Sequence, residues 1–134
     1  MRTLSVETKW DGDAATVALN GELDLSTAPE VESALAGAEE RGPDLLVLDL
    51  RGLAFMDSTG LRVVLAADGR ARRDGRRLEV VPGPPQVHRV FRIALLDRRI
   101  AFVDPPSPDG SGPAEGVGPP GESAESSPSG EDPA

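Results

Sequence analysis

The stretch FMDSTGLRVVL, residues 55–65, sets two hydroxyls, Ser58 and Thr59, between a carboxylate, Asp57, and a glycine, Gly60. It starts as a strand ends and finishes as an amphipathic helix begins. The first turn of a helix carries unpaired backbone N–H groups and a partial positive charge. Asp57 or Ser58 at that place caps the helix, the commonest use of such residues. The same donors also hold a phosphate well, and glycine at position 60 is expected to leave that approach uncrowded. A phosphoserine there adds roughly −1.5 to −2 charges without unfolding the helix, so its effect falls on whatever protein docks over it.

Other chemistry finds little material. His88 is the sole histidine and lies far along the chain from Ser58, so a serine hydrolase lacks its base; a surface or boundary position fits His88 better. Asp49, at a strand end, invites comparison with a phosphoaccepting receiver domain. That chemistry needs a lysine late in the chain, and the only lysine is Lys9. No Gly-rich phosphate loop or helical histidine pair is present, and there are no cysteines. An ordinary metalloenzyme or nucleotide hydrolase therefore has nothing to stand on in this sequence.

The elements that must position the hydroxyls can be followed in order. Leu4, Val6 and Thr8 alternate before Asp11-Gly12-Asp13, and Ala15, Val17 and Leu19 alternate after it, which predicts a β-hairpin. In GELDLSTAPE, residues 21–30, Ser26 or Thr27 is placed to cap a helix with Pro29 in its first turn. Ala28, Val31, Leu35 and Ala38 follow at helical spacing, and the helix should stop near Arg41-Gly42-Pro43. DLLVLDL, 44–50, is an apolar run of strand length, as in a strand covered on both faces. Leu61, Val64, Leu65 and Ala71 mark one face of a second helix ending near Asp74-Gly75. RRLEVV, 76–81, reads as a strand; Val87, Val90, Phe91 and Ala94 as a third helix; IAFV, 100–103, as a last short strand. Trp10 is expected to pack on the hairpin. The order β-β-α-β-α-β-α-β implies an α/β fold with parallel crossovers after an antiparallel start.

From Asp104 to Ala134 the composition changes. These 31 residues contain 8 Pro, 6 Gly, 6 Ser and 7 acidic residues, no basic or aromatic residue, and Val117 as the one large aliphatic. Such a segment buries too little apolar surface to offset its ordering entropy, so a folded domain over 1–103 and a disordered acidic tail over 104–134 are expected. All 14 basic residues precede position 104 together with 16 of the 23 acidic ones, so the net −9 lies mostly in the tail. Arg70, Arg72, Arg73, Arg76 and Arg77 cluster, but with acidic residues among them and no aromatic platform. They read as a solvated helix end and turn, not a nucleic-acid site. No apolar run approaches the ~20 residues of a membrane span, and the N-terminus lacks a signal peptide's apolar stretch. A cytoplasmic location follows as the expectation.

VLDLRGLAFMDSTGLRVVL, 47–65, resembles the signature of STAS domains, particularly bacterial anti-sigma factor antagonists, and GELDLSTAPEV, 21–31, resembles the same family's first loop and helix. The resemblance spans roughly residues 3–103. It implies a STAS-like fold, a mixed four- to five-stranded sheet with an antiparallel N-terminal hairpin and helices packed on it. It also implies that Ser58 is the serine phosphorylated by a partner, an anti-sigma factor that is a serine kinase of the histidine-kinase-like ATPase type. Thr59 stands beside it as the runner-up phosphoacceptor. Asp24 matches the acidic residue of the first loop, and Asp57, Thr59, Gly60, Leu61 and Arg62 match the phosphorylation loop and docking surface. In such proteins the unphosphorylated form binds the anti-sigma factor and frees a sigma factor, phosphorylation ends binding, and a serine phosphatase resets the switch. The resemblance also implies that ATP and Mg²⁺ are bound by the kinase, so the chain itself is expected to be a substrate and switch, no enzyme, with no metal or cofactor of its own. The alternative within the family is a non-switching scaffold, or a subunit of a sensory or transport system. The family's usual helix after the last strand has no counterpart in this sequence.

Overall fold

A computed structural model describes residues 3–105; the expectation for the acidic tail falls, from residue 106, outside them. β1 (Leu4–Asp11) and β2 (Ala14–Leu23) form the hairpin, paired antiparallel from Leu4 opposite Gly21 to Asp11 opposite Ala14. Gly12 takes the positive φ that its two-residue turn requires. Trp10, expected to pack on the hairpin, is half-buried against the core, and the guanidinium of Arg41 lies 4.1 Å over its ring.

Three helices and two further strands complete the domain: α1 (Ala28–Glu40), β3 (Leu45–Met56), α2 (Ser58–Asp74), β4 (Arg77–Val81) and α3 (Pro85–Ile93). The sheet order is β1-β2-β3-β4, with β2, β3 and β4 mutually parallel. This is the mixed α/β sheet with an antiparallel N-terminal hairpin that the sequence implied. Ala28, Val31, Leu35 and Ala38 are the buried residues of α1, as their spacing predicts.

β3 is longer than the apolar run 44–50 suggested, because two bulges lie beyond that run. The β2–β3 pairing goes from Ala18–Asp49 to Asn20–Gly52, so Leu50 and Arg51 together face Leu19. It shifts again between Gly21–Leu53 and Glu22–Phe55, leaving Ala54 as the extra residue. Leu46, Leu48 and Leu50 are buried at period 2; Leu53 and Met56 then reach the core at intervals of three, each across a bulge. Arg51's backbone N–H, displaced at the first bulge, donates to the Asp49 carboxylate at 3.0 Å. The Arg51 guanidinium adds bonds of 3.0 and 2.8 Å to the same carboxylate. Burial alone would raise the pKa of Asp49, but these hydrogen bonds and the charge of Arg51 outweigh it and leave the pKa lowered. Leu45 and Val47 are only half-buried, so the expectation of cover on both faces of β3 fails: one face of the strand is closed and the other is partly open.

Three other expectations are corrected. The buried face of α2 runs through Gly60, Val63, Val64, Ala67, Asp68 and Ala71, and Leu61 and Leu65 sit at its margin. The last strand, 100–103, reduces to one parallel bridge between Val80 and Phe102. Val80 N–H donates to Ala101 O and Val103 N–H to Val80 O, both at 2.9 Å. Pro105, with no N–H to give, ends any further pairing. His88 is half-buried and holds this segment edge-on, its ring 4.6 Å from Phe102. Ala94 lies past the end of α3 and is exposed.

Candidate functional site

Two loops leave the sheet side by side. Leu23 ends β2 and Met56 ends β3 as register partners, and Asp57 N–H reaches Leu23 O at 3.4 Å. Parallel strands send their following loops off one edge, so the Asp24 loop and the Ser58 loop are neighbours by topology.

In the first loop the capping expectation is corrected. Thr27 occupies the N-cap of α1, but its hydroxyl does not cap the helix. It donates to Glu22 O at 2.7 Å and accepts from Asp24 N–H at 3.0 Å, which closes the loop back on β2. Asp24 supplies the turn's acceptor instead: its Oδ1 receives Ser26 N–H at 2.9 Å, Ser26 Oγ–H at 2.7 Å and Thr27 N–H at 3.3 Å. Thr27 is buried, and Leu25 at the tip is 75% exposed, a large apolar side chain held in water by a rigid turn.

In the second loop Asp57 is the N-cap of α2, accepting Thr59 N–H at 2.9 Å. Asp57 therefore satisfies the cap, and Ser58, the first helical residue, has an exposed side chain with no capping duty. Thr59 is half-buried. Gly60 plays a part other than the one expected. It is buried, and a Cβ there would press on the side chains of Met56 and, at 3.0 Å, Leu23. Its missing side chain seats the first turn of α2 on the strand ends and does not clear a path for phosphate. Leu61 is half-buried against the core.

A cleft of about 330 Å³ opens beside Ser58, between the start of α1 and the first turns of α2. Leu25, Pro29 and Glu32 line it from one side, and Thr59, Arg62 and Ala66 from the other. Leu25 escaped sequence reasoning; an apolar residue inside an otherwise polar turn, LDLST, was its signal. His88 packs against Phe91 and Phe102 instead and does not line this cleft. Each clustered arginine faces a carboxylate: Arg70 grips Glu39 with bonds of 2.9 and 3.0 Å, Arg72 meets Asp68 at 2.9 Å, and Arg73 and Arg76 meet Asp74 at 3.4 and 3.2 Å. Arg77 lies 3.9 Å from Glu79. Among the described residues no group of three His, Cys, Asp or Glu is placed to hold a metal ion. No described helix is long and apolar enough to cross a membrane.

A four-stranded mixed sheet that presents an exposed serine at a helix mouth next to an acidic turn defines a class of small α/β domain, and comparison with known proteins agrees. A family model described as "Mlab, STAS domain" matches residues 6–104. The chain belongs to the STAS domain family. It is similar to the anti-sigma-B factor antagonist of Staphylococcus epidermidis, 29% identical over 93 residues, which cover 69% of this chain and 86% of that protein. The crystal structure of an anti-sigma factor antagonist from Mycobacterium paratuberculosis aligns with a TM-score of 0.70 at 25% identity, covering 80% of this chain and 89% of the other. The fold also matches SpoIIAA in its unphosphorylated form, with a TM-score of 0.64 at 21% identity over 74% of this chain and 88% of that one. The phosphorylated form of SpoIIAA, from Bacillus, gives a TM-score of 0.59 at 20% identity, covering 74% and 91%.

Proposed function

We propose that this protein is an anti-sigma factor antagonist that works as a phospho-switch at Ser58. The observation that carries the reading is the division of labour in the second loop: Asp57 caps α2, which leaves the Ser58 hydroxyl exposed at the first helical position. The similarity to proteins named anti-sigma factor antagonists supports it. In the unphosphorylated state the surface around Asp24, Leu25, Ser58 and Arg62 binds an anti-sigma factor that is also a serine kinase, and a sigma factor is freed. The kinase brings ATP and Mg²⁺. Ser58 Oγ bonds to the γ-phosphorus as the bond to the ADP oxygen breaks, ADP leaves, and the hydroxyl proton passes to solvent water. The modified surface then carries a dianion beside the carboxylates of Asp24 and Asp57. Moving a complex from 99% bound to 99% free takes about 5.5 kcal/mol, a scale that repulsion and bulk in a close interface can reach. A serine phosphatase restores the alcohol.

The test is ATP-dependent labelling by the kinase recovered with the protein, followed by mapping of the phosphosite. Label at Ser58, its loss in Ser58→Ala, and release of the partner on labelling are the expected results. Label confined to Thr59, or recovery of a transporter or a large sensory complex with no kinase, overturns the reading.

A further inference from the structure

Arg62 stands four residues after Ser58 in α2, at the spacing that sets one side chain above another on a helix face. It differs from the other arginines of that helix. Arg70, Arg72 and Arg73 each pair with a carboxylate, whereas Arg62, exposed on the cleft wall, makes no hydrogen bond or ion pair among the described residues. Glu32 of α1 lines the same cleft without closing on it. The position therefore holds a cation with a free fork of donors, within one turn of an exposed hydroxyl.

We propose that Arg62 is the internal counter-ion of a phosphate on Ser58. Once Ser58 is modified, the guanidinium turns back along the first turn of α2 and pairs with the phosphate oxygens. This rests on the phospho-switch reading above and extends it. Phosphorylation then changes the docking surface twice, because it adds a dianion and also withdraws the cleft's unpaired cation from an incoming partner's carboxylate. Arg62 so acts as a positioning residue. It orients the phosphate over the helix mouth and keeps it from the partner. The groups that compete for it are Glu32 from α1, Asp57 from its own first turn and Asp24 from the neighbouring loop.

The experiment uses full-length protein with phosphoserine installed at position 58 by genetic encoding, so no kinase is involved. The second dissociation of the phosphate is followed by ³¹P resonance, and the Arg62 Nε–H by ¹⁵N resonance. The phosphate pKa in the wild type is expected about 0.5 unit below that in Arg62→Gln, the size of an exposed ion pair. Arg62→Lys should recover part of the shift, and the Arg62 Nε–H resonance should move on phosphorylation. Superimposable titrations of wild type and Arg62→Gln overturn the proposal. Because the phosphate is installed directly, that outcome leaves the phospho-switch standing, whereas failure of the kinase to label Ser58 strikes the switch and not this pairing.

Discussion

Leu23 and Met56 are register partners at the ends of two parallel strands, and the same pair forms the seat on which Gly60 rests. One contact therefore fixes both site loops: Leu23 precedes Asp24, and Met56 precedes Asp57 and Ser58. The separation of the two loops is set by the sheet, with α2 keyed to it at a point where any side chain would intrude.

This makes Gly60→Ala an informative substitution. In an exposed helix, alanine for glycine gains about 0.5–1 kcal/mol. Here the added methyl meets Met56 and Leu23, and overpacking of that kind costs about 1–3 kcal/mol. A net loss of about 1–2 kcal/mol is expected in urea unfolding. A gain would mean that α2 does not sit on the strand ends.

The acid limb of stability should trace to Asp49. Its pKa is lowered in the folded protein because Arg51's hydrogen bonds and charge outweigh the upward push of burial. A lowered carboxyl stabilises the fold fully above the unfolded value, about 3.9, and that contribution is lost as pH falls through the folded value. Urea unfolding followed from pH 7 to 2.5 should show this loss beginning near pH 4. Asp49→Asn should flatten that part of the curve and cost about 1–2 kcal/mol at neutral pH through weakened bonds at the bulge. An unchanged acid limb in the variant would assign the loss to other carboxylates.

The same bulges explain where the sequence could be read and where it could not. α1 was legible throughout, because Ala28, Val31, Leu35 and Ala38 keep helical spacing from end to end. β3 was legible to Leu50 and then lost, because Leu53 and Met56 face the core only through insertions that break the period of two. The hydroxyl pair and its acidic neighbour were visible from residue type alone. Which group caps α2, and the fact that Gly60 faces inward, depend on how the helix meets two strand ends that lie over thirty residues apart in sequence. Thr27 looked like a cap by its position in the chain, yet its hydroxyl finds a carbonyl of β2.

Leu95, just past α3, takes a left-handed conformation with φ 61° and is exposed. Its geometry closes the helix, with Leu96 N–H donating to Phe91 O at 2.9 Å. A side chain with a Cβ pays about 1–2 kcal/mol for that backbone, and glycine removes the strain while giving back part of it as unfolded-state entropy. Leu95→Gly should therefore stabilise the fold by about 0.5–1 kcal/mol, a rise of about 2–5 °C in Tm. A fall in Tm would show that the leucine side chain contributes packing despite its exposure.

Leu25 and Leu95 together separate the two uses of an exposed leucine. Both are largely in solvent, 75% and 83%, but only Leu25 lines the cleft beside Ser58. A turn that spends the Asp24 carboxylate and the Thr27 hydroxyl on its own backbone holds Leu25 outward at little further entropic cost on binding. On the proposed docking surface such a preset apolar residue is expected to serve as an anchor once the partner buries it. Leu25→Ala should leave unfolding free energy within about 0.5 kcal/mol of wild type. It should weaken the complex with the recovered anti-sigma partner about tenfold, measured by titration calorimetry on unphosphorylated protein. Leu95→Ala should leave that affinity unchanged. Equal binding by Leu25→Ala and wild type would move the docking surface off the Asp24 loop, with Ser58 and α2 left to carry it alone.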